Sequence, residues 1–354
     1  MGSRRIGSYT PAGAPGESEL VAWETLCLTS ARVKSQIITT IPVFNGEAFI
    51  AQTLESVARQ TLRPDRVVVL DNCSTDRTEE IVRDFPYPCE FVRNEKNLGL
   101  FGNLNRCLSY ASQTTFLHLL HADDVIEPEF YQEMTAVLTN DTGQGLAWSQ
   151  DERIDENNEH LSWSGKSDGK VEILSRDQFL QLKAEIRNQA FCATLLKTNG
   201  LPAPGEFPLD VPILGDMIFW AAFGAHCEKI VHVHRALAKY RWHGSNQTVF
   251  LGPSIQSLIL DEWRTMQTNE ALRGKGWLWH RKLKLTGLLA VRSGIKARRV
   301  RQNGNPDYAL KIKQAAMSIT GRPLWAAGAV LVYLRDFYLF NILRRKRHPK
   351  NIYG

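Results

Sequence analysis

The sequence predicts an α/β fold: a mainly parallel sheet flanked by helices and followed by a basic helical C-terminal region. Three observations predict it. Apolar, β-branched runs alternate with segments of helical apolar spacing between residues 36 and 130. Polar residues stand at the ends of the strand-like runs: Asn45, Asp71, Asn97 and the pair Asp123–Asp124. The charge is also divided. From Arg273 onward, 19 Lys and Arg face only Asp307 and Asp336, a net +17, which leaves −11 for residues 1–272.

The elements follow in order. "SQIITTIPVFN" reads as a strand closed by Asn45-Gly46. In "EAFIAQTLESVARQT", Phe49, Ile50, Leu54, Val57 and Ala58 share one helical face. Val67–Leu70 is a second, buried strand leading into the polar turn "DNCSTD". Asp76 with Glu79 three later predicts a capping box opening "RTEEIVRDF" as a helix. "CEFVRNE" is a third strand, "NLGLFGNLNRCLSYAS" a loop entering a helix, and "TTFLHLLHADD" a fourth strand. Strands alternating with helices argue for a parallel sheet covered on both faces, with ligands beyond the carboxyl ends of its strands.

Beyond residue 131 the pattern is less regular. "GLAWSQDERID" and "KIVHVHRALAKYRWH" read as strands. "GDMIFWAAFGA" reads as a helix with Ile218, Phe219, Ala222 and Phe223 on one face, and residues 252–320 as basic-faced helices. The division expected is a disordered extension over 1–33, one half-domain over 34–130, a second over 131–250, and a basic helical region over 251–354. The extension is Gly/Ser/Pro-rich, lacks the apolar core of a secretory signal, and has Ile6 where myristoylation needs Ser or Thr. Six scattered cysteines without metal-type spacing read as reduced thiols of a cytosolic protein.

"WAAGAVLVYLRDFYLFNIL", residues 325–343, is as long as a membrane span, but Arg335 and Asp336 sit at its middle. Each would cost ~2.5–3.5 kcal/mol at a bilayer centre. Beside "RRKRHPK", the segment reads either as an interfacial helix on an anionic membrane or as a helix packed on the core or in a homodimer. The expected location is cytoplasmic, peripheral at the inner face of the membrane.

Several residues point to chemistry. Adjacent acids at a strand end can cap a helix or stay solvated; they are also the oxygen donors that Mg2+ or Mn2+ takes together with phosphate oxygens. Asp71 can accept from a nucleobase or ribose, or serve the turn around it. His243, two residues after Arg241, can contact a metal or phosphate, or be structural. Asp216 opens an apolar helix, as an N-cap or as a general base. Trp148, Gln150, Trp163 and Phe191 are candidates to face a sugar, or core residues.

Taken together, "IPVFNGEAFIAQTLESVARQTLRPDRVVVLDNCSTDRTEEIV", "NEKNLGLFGNLNRCL" and "LLHADD" closely resemble the family 2 inverting glycosyltransferases of the Rossmann-like GT-A fold. The resemblance is dense over residues 36–130 and sparse from Asp216 to His243. It implies a nucleotide-sugar site of Pro42, Phe44, Asn45, Glu47, Asp71, Asn97, Gly99, Asn103, Asp123 and Arg241. It implies Asp123, Asp124 and His243 around Mn2+ or Mg2+, and Asp216 as general base. The donor would be a nucleotide-diphosphate sugar of UDP or dTDP type, and the acceptor a hydroxyl on a membrane-linked glycan or lipid in cell-surface polysaccharide synthesis. The chain departs from the family in four places. Asp71 is followed by Asn72 rather than a second Asp; His121 stands where an acid is usual; Gly215-Asp216 replaces Glu-Asp; and "GNLNR" lacks the Arg common near Leu104. A nucleotidyltransferase reading lacks the basic, Gly-rich loop after the first strand. A non-catalytic nucleotide- or nucleic-acid-binding reading has only the basic tail behind it and no specific nucleic-acid motif.

Overall fold

The structure, a computed structural model, describes residues 37–139, 142–244, 255–274, 279–302 and 304–337. The expected extension over 1–33, the end of the apolar segment (338–343) and the basic cluster (344–350) lie outside the described residues.

Four parallel strands begin the sheet: β1 (Ile37–Val43), β2 (Arg66–Asp71), β3 (Glu90–Arg93) and β4 (Phe116–Leu119). They lie in the order β3-β2-β1-β4. The crossovers carry α1 (Ile50–Ala58), α2 (Thr78–Asp84) and α3 (Gly99–Leu108). Next come β5 (Val125–Ile126), α4 (Phe130–Ala136), β6 (Gly145–Ile154), β7 (His160–Trp163), β8 (Val171–Ile173), α5 (Arg176–Ala184), β9 (Thr194–Lys197), α6 (Gly215–His226) and β10 (Lys229–Arg241). The sheet continues from β4 through β9, β6 and β10 to β5, with β7 beside β6 and β8 beside β10. β6 and β10 run with β1–β4, while β9, β5, β7 and β8 oppose them.

Both faces of the sheet are covered, so β1 reads as a continuous buried run rather than an alternating one. Ile37 and Ile41 pack with Leu54 of α1 and Phe130 of α4, while Ile38 packs with Leu104 of α3 and Phe219 of α6. Four helices follow: α7 (Ile255–Ala271), α8 (Trp279–Gln302), α9 (Pro306–Thr320) and α10 (Arg322–Phe337). A third core joins them to the body through Met217, Met266, Leu289 and Ile312. α10 lies close on α8, where a side chain at Gly328 would stand 2.8 Å from the Ala290 backbone.

Three details differ from expectation. The capping box does not form: α2 has no side-chain cap, Asp76 Oδ2 accepts from Glu47 N at 2.9 Å, and Glu79 pairs with Arg83 and Arg93 instead. The buried face of α6 is wider than the predicted one; Met217, Trp220 and Ala221 are buried, while Ile218 and Ala222 are only partly so. β9 enters the sheet centre between β4 and β6 although "TLLK" gave no strand signal of its own length.

Candidate active site

Parallel strands deliver their C-terminal loops to one edge. Pro42 stays buried inside β1, and Phe44 just beyond it is half exposed. Asn45 N donates to Ser74 Oγ at 2.8 Å, and Asn45 Oδ1 accepts from Thr75 N at 2.9 Å. Gly46 N donates to Thr78 Oγ1 at 2.8 Å, and Glu47 Oε2 accepts from Arg77 N at 3.1 Å. Residues 45–47 are thus zipped to the turn after β2, fixing both loops at the carboxyl edge of the sheet.

Asp71 is fully buried at the end of β2. Its carboxylate accepts from Ser74 N at 3.1 Å and pairs with Arg93 Nη1 at 3.3 Å. The next residue, Asn72, is the hub of an amide network. Asn72 Nδ2 donates to Asn97 Oδ1 (2.9 Å) and Gly99 O (3.2 Å), and Asn72 Oδ1 accepts from Leu98 N (2.8 Å) and Asn94 Nδ2 (3.0 Å). Asn94 Nδ2 also donates to Asn103 Oδ1 at 3.0 Å, and Asn103 Nδ2 to Leu70 O at 2.8 Å. Asn97 and Gly99 therefore meet Asn72 at the start of α3, and Asn103 joins the network through Asn94. The amide both donates and accepts here, which an ionised carboxylate at position 72 could not do. The sequence reading missed Asn72 and Asn94 as organising residues; the run of Asn between 94 and 105 was the available signal.

The acid pair follows β4. Asp124 is fully buried, with Oδ1 accepting from Arg241 N at 2.8 Å. The antiparallel register Lys239↔Val125, continued two residues, brings Arg241 beside Asp123. Arg241 is itself fully buried. Its Nε donates to Asp123 O (2.7 Å), Nη1 to Asp155 O (3.1 Å) and Asn158 Oδ1 (2.8 Å), and Nη2 to Gln52 Oε1 (2.9 Å). The guanidinium lies 4.8 Å from the centre of the Phe49 ring. Arg241 thus braces the acidic loop from inside, offsetting its charge. His243 Nε2 lies 3.0 Å from Asp123 Oδ2, and its ring packs on Phe49 at 4.7 Å.

These surroundings separate the two acids. Burial, with the charge of Asp123, raises Asp124 well above the usual carboxylate range. Burial also acts on Asp123, but the His243 hydrogen bond and the nearby imidazoles hold it below its ordinary value. His121 completes the cluster; one ligating atom each from His121, Asp123 and Asp124 lie within 4.8 Å of one another. Asp124 Oδ2 and His121 Nε2 are buried without a hydrogen-bond partner. Two orphaned donor atoms beside an ionised carboxylate fit a divalent cation, since unpaired buried polar atoms are otherwise costly.

Asp216 sits in the first turn of α6, not at its cap, which is Leu214. It is buried, with Oδ2 accepting from Asn188 Nδ2 at 3.0 Å. Burial raises its pKa, against the hydrogen bonds from Asn188 and Met217 N. Lys183 stands nearby, buried and pushed down to about 7 by burial, its ammonium donating to Arg187 O at 2.9 Å. Aromatic contacts connect this region to the acid pair: His121 stacks on Phe191 at 4.5 Å, and Phe191 packs on Trp220 at 5.1 Å, one helical turn after Asp216. The position before Asp216 is Gly215, where an added side chain would meet Phe101 at 2.6 Å. Phe101 thus fills the space an acid would take. Of the four sugar-facing candidates, Trp148, Gln150 and Phe191 are buried, and Trp163 is exposed.

Residues 39–196 match the family model described as Glycosyl transferase family 2. The fold is of the GT-A type. Asp123 and Asp124 fall inside that span; Asp216, Arg241 and His243 fall beyond it. An uncharacterized glycosyltransferase of Methanocaldococcus jannaschii is 28% identical over 115 residues, 31% of this chain and 39% of the relative. The chain spans about 28–39% of the length of the first curated relatives it matches. The crystal structure of S. aureus TarS superposes with a TM-score of 0.55 at 17% identity, covering 86% of this chain and 55% of TarS. TarS 1–349 in complex with UDP-GlcNAc gives 0.51 at 15% identity, over 88% and 93% of the two chains.

Proposed function

We propose that this chain is an inverting, metal-dependent glycosyltransferase that moves a sugar from a nucleotide-diphosphate donor to a hydroxyl of a membrane-linked glycan or lipid. The observation that carries the reading is the Asp123–Asp124 pair, braced by Arg241 and His243 at the carboxyl edge of a family 2 domain. The zipped loops at Asn45 and Asp71 would hold the nucleoside, with Asn97, Gly99 and Asn103 shaping the wall beside it. The similar fold of TarS in complex with UDP-GlcNAc makes UDP-sugars the first donors to try.

Asp123 and Asp124 would hold Mn2+ or Mg2+, with His243 against Asp123 and His121 alongside. The cation would supply Lewis-acid neutralisation of charge on the diphosphate. Asp216 takes the proton of the acceptor hydroxyl as that oxygen bonds to the anomeric carbon. The bond to the diphosphate breaks with its electrons on the phosphate oxygen, and the configuration inverts in one displacement. Asn188, donating to Asp216 Oδ2, leaves the carboxylate one orientation in which to receive that proton.

Association with an anionic membrane surface rests on the +17 region and on α10. That helix packs on α8 through Gly328 and Val332 and turns Val330 (56% exposed), Leu331 (58%) and Leu334 (55%) outward. Among the described residues, no helix is long and apolar enough to cross a membrane. A thermal-shift panel of nucleotide sugars with and without Mn2+ tests the donor and metal together: one donor should raise the melting temperature only with metal, and Asp123→Ala should abolish both that shift and sugar transfer. Full transfer by Asp123→Ala, or release of pyrophosphate in place of a nucleoside diphosphate, would sink the reading.

A further inference from the structure

β10 and β8 bring together three ligand-type side chains outside the acidic cluster. His232 and His234 are two apart on β10, so both project from the same sheet face, opposite to that of the buried Val231 and Val233. The register sets Glu172 of β8 directly across from His232. His234 is tied to the same strand end by His234 N donating to Lys170 O at 2.7 Å and Gly169 N donating to His234 O at 2.9 Å. One ligating atom from each of Glu172, His232 and His234 lie within 4.8 Å of one another. We propose that Glu172, His232 and His234 form a second metal site, for a zinc-type transition-metal ion, that ties edge strand β8 to β10.

The donor set and its spacing both support this. Two imidazoles and one carboxylate make a three-ligand zinc set with a fourth position left to water. With ligand bonds of ~2.0–2.2 Å, tetrahedral geometry sets neighbouring ligand atoms roughly 3.3 Å apart. His234 Nε2 and Glu172 Oε2 are already 3.3 Å apart. The supporting contacts are also in place. His232 stacks on Trp148 at 4.5 Å, and its ring centre is 4.2 Å from that of His234. Gln150 Oε1 accepts from Ser164 Oγ at 2.7 Å, so Gln150 Nε2 donates to His232 Nε2 at 3.1 Å, a bond the amide must give up when this nitrogen takes the ion. Glu172 and His234 keep partial solvent access, which leaves a path for the ion.

Zinc differs in kind from the Mn2+ or Mg2+ expected at Asp123, and the two sites separate by mutation. Equilibrium dialysis of the tag-free full chain against Zn2+, followed by Co2+ substitution, reads the site. The wild type should bind zinc and give tetrahedral Co2+ d–d bands without a thiolate charge-transfer band. Asp123→Ala, which disables the acid pair, should retain one tightly bound zinc and the tetrahedral bands. His234→Ala and Glu172→Gln should each weaken zinc binding by more than the ~10–100-fold that loss of a supporting partner costs. Glu172→Gln alters an exposed edge strand, and retained Mn2+-dependent donor binding certifies its fold. Zinc affinity equal in wild type and in both β8–β10 variants, or zinc lost on Asp123→Ala alone, overturns the proposal, as does a thiolate band.

Discussion

At the residue scale, Asp216 and the acid pair show burial used in opposite ways. Asp216 has its pKa raised by burial, so its carboxylate is a stronger base than an exposed aspartate. The base form exists only above that raised value. The acid limb of kcat/KM is therefore expected above the ordinary aspartate range, with activity falling as pH drops through it. A pH–rate profile checks this. Asp216→Asn should lower kcat by ~10²–10⁴-fold while metal-dependent donor binding persists, which calorimetry reads separately. Asp123 is instead held ionised by His243, and Asp124 is disposed to stay protonated until a positive partner arrives. The strand-end pair looked like a repulsion awaiting a metal; the structure adds that Arg241 already offsets part of it from within.

At the element scale, the loops are ordered by side chains rather than by caps. Asn72 uses both halves of its amide to join the β2 turn to the start of α3. Asn72→Asp restores the residue usual in the family but removes both donors. It should cost about 1–3 kcal/mol, read as a shift of the urea midpoint with an unchanged slope. β1, β2 and the acid loop after β4 were legible in the sequence because β1 and β2 are buried β-branched runs and β4 a buried apolar one, each ending in polar residues, while the short, half-exposed β3 was legible from its place between two helical segments. β9 was not, since "TLLK" carries no period and its place depends on pairing with β4 and β6, far away in sequence. The burial of Arg241 was likewise not legible, because sequence shows a residue's type and position but not its burial. The amide network was equally hidden, since its members are joined only when the β2 and β3 ends come side by side.

At the scale of the whole molecule, the region that matches the family 2 model is followed by a C-terminal region whose net charge from Arg273 onward is +17. Co-sedimentation with vesicles containing anionic lipid should be strong at low salt and weaken as ionic strength rises, while neutral vesicles retain little. Val330→Glu with Leu334→Glu should reduce binding even at low salt, because those changes remove apolar contact as well as adding repulsion.

The seating of α10 has a practical consequence. Its outer stripe invites truncation before Arg322 as a route to a better-behaved preparation. The same helix, however, covers α8 at Ala290 and Gly294, where Gly328 allows near backbone contact. Cutting it away would exchange one sticky surface for another. Surface redesign at residues 330, 331 and 334, leaving the glycine seam intact, is the better way to a soluble crystallisation sample.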